Sequence, residues 1–497
     1  MFWKKMMRNI VIKCNTFLSA DYESTLKALY NLQSNAEYLK LSSEKGSTQD
    51  HKLKDIEKYL LRIGVTTETL DTLSVIHVAG TKGKGSSCAY TEAILREHGY
   101  ITGFYSSPHL VTVRERIKIN GKSISESLFV EYFWKVHKKL EDTKENEFDM
   151  PMYFKFLTLL MFKIFLDLKV DVAIIEVGIG GLYDCTNIIR NPVCVGITSL
   201  ALDHTSLLGP TLEDIAYQKS GIFKPETIAF SVPQHSRAMR VLEKRAVEQN
   251  CTLYTVPPFE EYKWENISPI LNMRNSIQQE NASLAIQMAS TWMASKSNKF
   301  SPSLTNVVNT NKNSIRHMDK IAIGLSSCKW PGRMQILESS IGNFYLDGAH
   351  TMESIQSCIS WFTDLTKESG GKKILIFNTS ARRDPMILLK PIKSLQFEKS
   401  YFVPNYAGVN CIDDETNRFF LEEQKNQCLK NAAFWGTGSV LADSVSEVLQ
   451  KIKKDNSQWQ ATYNNNEKCY VLVTGSLHLI GAVLTVLDPH LTMSTKF

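Results

Sequence analysis

The stretch His-Val-Ala-Gly-Thr-Lys-Gly-Lys-Gly-Ser at residues 77–86 joins an apolar, strand-like run at 73–79 to a segment of helical periodicity at 86–98. A glycine-rich turn between a strand and a helix is typical of a phosphate site, because glycine lets backbone N–H groups approach the anion and the helix N-terminus adds partial positive charge. Lys84 can reach terminal phosphates, and the Ser86 or Thr81 hydroxyl can serve phosphate or Mg²⁺. The stretch therefore predicts a nucleotide site at the start of a helix.

The loop departs from the standard pattern G-x-x-x-x-G-K-[ST]. Position 78 is Val, and Gly85 separates Lys84 from Ser86. The alternative interpretation is a glycine-rich turn without a ligand, so other residues must decide between the two.

Length and composition indicate an ordinary globular protein of two domains. The chain has 497 residues, 43% hydrophobic and 22% charged, which is too long for one core. It contains no run of 18 apolar residues, so no membrane span is expected. The formal net charge of +6 is small for this length and favours anionic small molecules over nucleic acid as partners.

Cysteine spacing argues against a zinc site. The ten cysteines are scattered and form no C-x-x-C pair. Free thiols in a reducing compartment are therefore expected.

The first 20 residues carry four cations and no acid before Asp21, with apolar residues between them. This pattern is typical of a mitochondrial presequence, and the alternative is an ordinary basic tail. We expect a cytoplasmic protein, a mitochondrial matrix protein, or both.

Strand and helix patterns alternate through the first two thirds of the chain. Such alternation predicts an α/β fold whose parallel sheet carries helices on both faces. Helices are predicted at 22–39, 51–63, 125–141, 152–168, 213–219, 236–249 and 280–294, and strands at 101–105, 170–177 and 193–199. The polar segment 295–320 reads as a loop insertion near a domain junction.

After residues 330–333 the alternation restarts, which predicts a second, smaller α/β domain. Its strands are expected at 344–346, 373–377, 399–403 and 470–474. The predicted organisation is a leader at 1–20, a first domain at 21–328 and a second domain at 329–497.

Polar residues follow the predicted strands, where open α/β sheets place their ligands. Ser107 follows the strand at 101–105, Glu176 ends the buried strand, and His204 follows the next one. A buried carboxylate is costly unless it is paired or bound to a metal, so Glu176 is a candidate Mg²⁺ ligand. The alternative is a carboxylate that accepts hydrogen bonds from the glycine-rich backbone beside it.

Together these segments resemble the folylpolyglutamate synthase family, within the Mur-ligase-like ATP-dependent amide ligases. The resemblance spans about residues 22–490 and rests on many ordered matches. In chain order they are 77–86 (HVAGTKGKGS), 105–110 (YSSPHL), 153–158 (YFKFLT), 176–181 (EVGIGG), 184–187 (DCTN), 202–209 (LDHTSLLG), 218–224 (QKSGIFK), 330–333 (WPGR), 346–351 (LDGAHT) and 474–478 (TGSLH).

This resemblance implies an N-terminal P-loop-containing ATPase domain with a parallel sheet and a smaller C-terminal Rossmann-like domain that brings the glutamate. It implies ATP and Mg²⁺ as cofactors, allows a monovalent cation such as K⁺, and implies a monomer. The implied catalytic residues are Lys84, His204 and Lys219, the last as a carbamate that helps hold a second metal. The implied ATP-binding residues are Thr81, Lys82, Gly83, Lys84, Gly85, Ser86, Asn281, Arg333 and Asp347, and the implied metal ligands are Ser107, Glu176 and His204.

Four residues match positions near the pterin-bearing substrate: Tyr153, Phe154, Lys155 and Asp184. For Tyr153 and Phe154 the alternative is packing in a helix core. The chain departs from the pattern at Lys82, where many members have Asn, and at Ser220, where Gly or Ala is common. The insertions near 295–320 and 411–430 have no role that the sequence reveals.

The implied reaction is ATP-dependent addition of glutamate to reduced folates through γ-carboxyl amide bonds, by way of an acyl phosphate. The nearest alternative is dihydrofolate synthase, which adds the first glutamate to dihydropteroate. Lys155 favours polyglutamylation, because a cation can pair with the carboxylate of an existing glutamate tail. A P-loop kinase or NTPase switch and a catalytically inactive binding protein are the alternatives from other classes.

Overall fold

The computed structural model describes residues 21–32, 51–271, 276–296, 317–367, 371–379, 384–409, 421–463 and 468–493. The leader predicted at 1–20, most of the loop predicted at 295–320 and the first part of the insertion at 411–430 lie outside the described residues.

The first sheet has eight strands in the order β4-β3-β2-β5-β1-β6-β7-β8 within the described chain. Six strands run parallel, and β3 and β4 extend one edge in antiparallel fashion. Their bounds are β1 Val75–Ala79, β2 Thr102–Tyr105, β3 Ile117–Ile119, β4 Lys122–Ser123, β5 Val172–Glu176, β6 Cys194–Ile197, β7 Ile228–Ser231 and β8 Thr252–Thr255.

Helices cover both faces of this sheet, as expected for parallel strands that read as continuous apolar runs. Every residue of β1 and β5 is buried. The helices of this part of the chain are α1 Tyr22–Asn31, α2 His51–Arg62, α3 Thr67–Leu70, α4 Lys84–Glu97, α5 Glu126–Asp142, α6 Tyr153–Asp167, α7 Thr205–Leu208, α8 Leu212–Lys219, α9 Ser236–Glu248, α10 Ser276–Lys296 and α11 Met318–Ser327.

The second sheet has six described strands in the order β13-β12-β11-β14-β10-β9, of which only β9 is antiparallel. Their bounds are β9 Gln335–Ser339, β10 Gly342–Leu346, β11 Gly371–Phe377, β12 Lys399–Phe402, β13 Ser439–Leu441 and β14 Lys468–Thr474. The helices are α12 Met352–Thr366, α13 Pro385–Ile392, α14 Leu421–Trp435, α15 Val445–Tyr463 and α16 Leu477–Leu487.

The predicted α/β class with a large parallel sheet and a second α/β sheet is confirmed. The first sheet ends at Thr255 and the second begins at Gln335, so they lie on either side of the predicted boundary at 328/329, which itself stays a prediction.

Several element predictions need correction. The helix predicted at 22–39 ends at Asn31, and residues 33–39 lie outside the described residues. Helix α11 begins inside the segment predicted to be a loop. The short strands β3, β4, β7, β8, β9 and β13 were not predicted, because runs of two to five residues carry little periodicity. The later part of the insertion at 411–430 lies in α14.

Among the described helices, none combines the length and the apolar character that a membrane crossing requires.

We expect Phe165→Ala to destabilise the protein by about 3–5 kcal/mol, since the buried ring of Phe165 packs directly over Gly103 of β2. Val247 on α9 is 83% exposed, so Val247→Ala should change stability by about 0.5 kcal/mol or less. Denaturant unfolding of both variants checks this. Equal losses would contradict the packing argument.

Candidate functional site

The carboxyl ends of β1, β2, β5 and β6 open into one cavity of about 1090 Å³. The second domain supplies part of its wall through most of the residues in 330–334 and 347–357 and through Leu477. The cavity therefore lies where a parallel sheet places its ligands, and loop and helix residues of the second domain form its other wall.

Backbone hydrogen bonds attach the phosphate-type loop to the segment that follows β6. The N–H groups of Thr81 and Lys82 donate to the Ser199 carbonyl oxygen at 2.9 and 3.1 Å. Gly83 has φ +88° and caps α4, and a Cβ there would lie 2.2 Å from Asn281 Oδ1. Only glycine combines this backbone conformation with this contact. Gly83 and Asn281 both line the cavity, so the structure brings the predicted loop together with the predicted helix residue.

Glu176 is a buried carboxylate at the end of β5, with 4% exposure. Its Oε2 accepts a hydrogen bond from the Ser107 N–H at 3.1 Å, and its Oε1 lies 3.9 Å from Lys84 Nζ. Burial raises the pKa of Glu176, and the charges of Lys84 and Arg333 oppose that rise. Ser107, Lys84 and Glu176, which lie in different sequence motifs, therefore meet at one wall of the cavity.

His204 also lines the cavity but is exposed to it. It adopts a left-handed backbone conformation, φ +51°, at the start of α7. Such strain in a residue that carries a Cβ is often found at functional sites. Partial burial against the cavity wall lowers the pKa of His204, which keeps a ring nitrogen lone pair available at neutral pH.

Lys219 lies behind the loop. It is 4% exposed, and its Nζ donates to the Gly80 carbonyl oxygen at 2.7 Å. Burial, helped by Lys84, lowers the pKa of Lys219 to about 7. A substantial fraction of this amine is therefore neutral near physiological pH.

The second domain places Arg333 and Asp347 on the cavity wall. The Oδ2 of Asp347 accepts the Met334 N–H at 2.9 Å, and burial raises the pKa of Asp347 against the pull of Arg333. Gly348 is needed beside them, because a Cβ there would lie 3.0 Å from Arg333 Nη1 and 2.4 Å from a Leu477 methyl.

The four residues predicted near the pterin substrate separate into two groups. Phe154 and Asp184 line the cavity, and the Oδ2 of Asp184 accepts the N–H groups of both Gly178 and Ile179, at 3.1 and 3.2 Å. Lys155 is not among the lining residues, and its Nζ lies 3.2 Å from Asp55 Oδ2.

Tyr153 also lies outside the lining. Its ring supports the Arg116 guanidinium at 5.4 Å, and Arg116 itself faces the cavity.

Sequence reasoning missed two of the cations at this site. Arg116 lines the cavity and donates through Nε to His109 Nδ1 at 3.0 Å. Lys118 also lines the cavity, with its Nζ 4.9 Å from the Trp330 ring centroid. The only signal in the sequence is the run of cations at 114, 116 and 118, and it is ambiguous, because Arg116 ends a 3-10 helix and only Lys118 lies on β3.

Trp330 connects the segment before the second sheet to the phosphate-type loop. A Cβ on Gly85 would lie 2.7 Å from its ring, so the indole covers the loop at van der Waals distance. The motif at 330–333 therefore has two roles: Trp330 packs on the loop, and Arg333 supplies a charge.

The donors present suit a divalent ion held mainly by ligands other than protein side chains. No group of three or more His, Cys, Asp or Glu side chains with metal-binding geometry occurs in the described part of the chain. Mg²⁺ commonly takes one or two carboxylates and completes its shell with water and phosphate oxygens. The buried carboxylate of Glu176 beside Ser107 fits that requirement. His204 lies elsewhere on the cavity wall and is the donor expected for a second ion.

Comparisons with known proteins agree on one family. The chain is 38% identical to the mitochondrial folylpolyglutamate synthase of Cricetulus griseus, over 95% of this chain and 92% of that protein. The apo form of L. casei FPGS superposes with a TM-score of 0.68 at 24% identity, over 94% and 99% of the two chains. A bifunctional folylpolyglutamate synthase/dihydrofolate synthase from Yersinia pestis, complexed with AMPPNP and Mn ion, gives 0.64 at 23% identity, over 87% and 92%. No protein-family model matches the chain.

We expect Glu176→Gln to stabilise the ligand-free protein by about 0.5–2 kcal/mol at pH 7.5, because the neutral amide removes a buried charge whose pKa is raised. Asp149 makes the matched comparison. Burial alone would raise its pKa, but hydrogen bonds from the Glu145 N–H and Arg62 lower it. Asp149→Asn should therefore destabilise by about 1–3 kcal/mol.

Thermal unfolding between pH 4 and 8 measures both effects. Each difference should shrink on acidification as the carboxyl groups become protonated, that of Glu176 at higher pH than that of Asp149. Destabilisation by both substitutions at pH 7.5 would refute the account of Glu176.

Proposed function

The chain belongs to the folylpolyglutamate synthase family, and on that premise we propose that the cavity between its two sheets is where a folate carboxylate is joined to glutamate. Its activity is ATP-dependent polyglutamylation of folates, a ligase reaction. One observation supports the placement above all. Lys84 of the phosphate loop, the buried Glu176 and Arg333 of the second domain converge on the same cavity.

The chemistry requires activation of the carboxylate, since amide formation from a free carboxylate is uphill. Transfer of the γ-phosphoryl group of ATP gives an acyl phosphate. The amine of glutamate then attacks the acyl carbon, and the tetrahedral intermediate expels phosphate. Lys84 neutralises charge on the transferring phosphoryl group, which is the main catalytic contribution in this type of transfer.

Glu176 and Ser107 would hold one Mg²⁺ that such a reaction uses, and His204 would help to hold a second. When bound, the ion polarises phosphate oxygens and lowers the charge that the attacking groups meet. The chain's own contribution is the buried carboxylate, whose position is fixed by the Ser107 N–H at 3.1 Å.

The second domain would complete the nucleotide site. Arg333 and Asp347 line the cavity opposite the loop, and Asn281 faces the loop from α10. Closure of the cavity by the second domain excludes water, which would otherwise hydrolyse the acyl phosphate.

Lys219 suits the carbamate that the family resemblance implies. Only a neutral amine reacts with carbon dioxide, and the pKa of about 7 supplies that form at physiological pH. Carbamate formation would turn the Lys219 side chain into an anion beside the phosphate loop. Lys84 and His204 both interact electrostatically with this side chain.

The folate would lie against Phe154 and the 178–184 loop. Lys155 contacts the glutamate tail only if its pairing with Asp55 is broken, so its role in choosing polyglutamylation over dihydrofolate synthesis stays a prediction. Localisation in mitochondria agrees with the names of the relatives and with the basic residues 1–20. We also propose that a cytoplasmic form exists and that the protein is a monomer.

A ligation assay with Mg·ATP and labelled glutamate tests the function. We expect label to enter tetrahydrofolate, and Lys84→Ala to reduce turnover at least 100-fold, because one preorganised electrostatic contact at a transition state is worth about 10²–10³ in rate. Label entering dihydropteroate alone would instead indicate a dihydrofolate synthase. ATP hydrolysis without ligation would instead indicate a P-loop NTPase switch.

Gly83→Ala tests the phosphate loop. The added Cβ would strike Asn281 at 2.2 Å in a left-handed backbone, so we expect Mg·ATP affinity to fall at least tenfold by calorimetry. Gly99→Ala is the matched control, since Gly99 has φ +91° but nothing lies within 4 Å of the added Cβ. It should lower stability and leave nucleotide affinity intact. Equal loss of affinity in both variants would count against the loop assignment.

A further inference from the structure

The Lys82 ammonium group links three loops that are distant in the sequence. Lys82 belongs to the phosphate loop, and its Nζ lies 3.6 Å from Asp203 Oδ2 in the loop after β6. The same Nζ lies 2.8 Å from His350 Nε2, in the loop that follows β10 of the second domain. Lys82, Asp203 and His350 all line the cavity.

The hydrogen bonds define the chemical state of His350. Its Nδ1 lies 2.8 Å from the Gly348 carbonyl oxygen, which can only accept, so the ring hydrogen is on Nδ1. An ammonium group can only donate, so Nε2 must present its lone pair to Lys82. The contact is therefore a charge-assisted hydrogen bond from a cation of the first domain to a neutral imidazole of the second.

This geometry leaves the loop cation able to meet a phosphate. The contact with Asp203, at 3.6 Å, is an ion pair beyond ordinary hydrogen-bond length. A phosphate oxygen in the cavity can replace it as the anionic partner, while the shorter bond to His350 stays in place. One ammonium group would then contact the nucleotide and the second domain together.

We propose that Lys82 is a positioning residue that couples nucleotide binding to the docking of the second domain, by holding His350 at the phosphate loop. The proposal rests on the function proposed above and extends it. Because such coupling is reciprocal, loss of Lys82 should weaken both events.

The test uses the full-length protein and the non-hydrolysable analogue β,γ-methylene-ATP with Mg²⁺. Calorimetry measures analogue affinity, and hydrogen exchange of the peptide covering 348–354 measures docking of the second domain. The variants are Lys82→Met, which keeps the stem and removes the charge, and Lys82→Arg, which keeps the charge. Lys244→Met is the matched control, because Lys244 is a 77% exposed lysine on α9.

We expect the analogue to slow exchange at 348–354 in the wild type and in Lys244→Met. In Lys82→Met that slowing should be lost and affinity should fall about tenfold, the usual effect of one charge-assisted hydrogen bond. Lys82→Arg should recover most of both. His350→Leu should remove the slowing without a further loss in the double variant with Lys82→Met.

Two results would overturn the inference. Weaker analogue binding by Lys82→Met with unchanged slowing at 348–354 would make Lys82 a phosphate contact only. Wild-type binding without any slowing would show that the two events are uncoupled. Failure of the wild type to bind the analogue would be a different result, because it would refute the proposed function itself.

Discussion

The buried carboxylate of Glu176 is the group on which the arrangement of the site depends. It ends a strand in the middle of the first sheet, where an ionised side chain is unfavourable without nearby cations. Lys84, Arg333 and Arg116 supply the opposing charges, and each belongs to a different loop. The phosphate loop, the second domain and the segment before β3 therefore each place a cation near this carboxylate. Folding the sheet correctly assembles the site as a consequence.

The same distribution of charge explains why the cavity suits its substrates. ATP, a folate and glutamate are all anions, and the cavity wall carries Lys82, Lys84, Arg116, Lys118 and Arg333. The same wall also carries acidic residues, namely Glu115, Glu176, Asp184, Asp203, Asp347 and Glu353, so it offers an anionic ligand individual cations rather than a uniformly positive surface. Within this wall Glu176 interacts with the charges of Lys84, Arg333 and Arg116, which are the cations available to phosphate when the nucleotide is present.

Local sequence patterns predicted the elements that carry this site, because each is encoded within a few residues. The glycine-rich loop, the buried strand ending at Glu176 and the helix that begins at Tyr153 are of this kind. The contacts between distant segments could not be predicted in the same way. Lys82 meets His350 across 268 residues, and Lys118 meets the Trp330 ring at 4.9 Å. For Lys155, the sequence predicted the helix that carries the residue but not its partner. The pairing with Asp55 depends on how α2 packs on α6.

The arrangement also argues against a protein that only binds its ligands. A binding site for phosphate needs donors and cations, which the loop and the helix N-terminus already provide. A buried carboxylate with a raised pKa and a buried lysine with a pKa of about 7 both oppose folding, and neither improves the binding of an anion. Ionisable groups with shifted pKa values are common in active sites. The shifts prepare these groups to bind metal ions, transfer protons or react with carbon dioxide. The free energy given up at Glu176 and Lys219 is therefore best explained by catalysis.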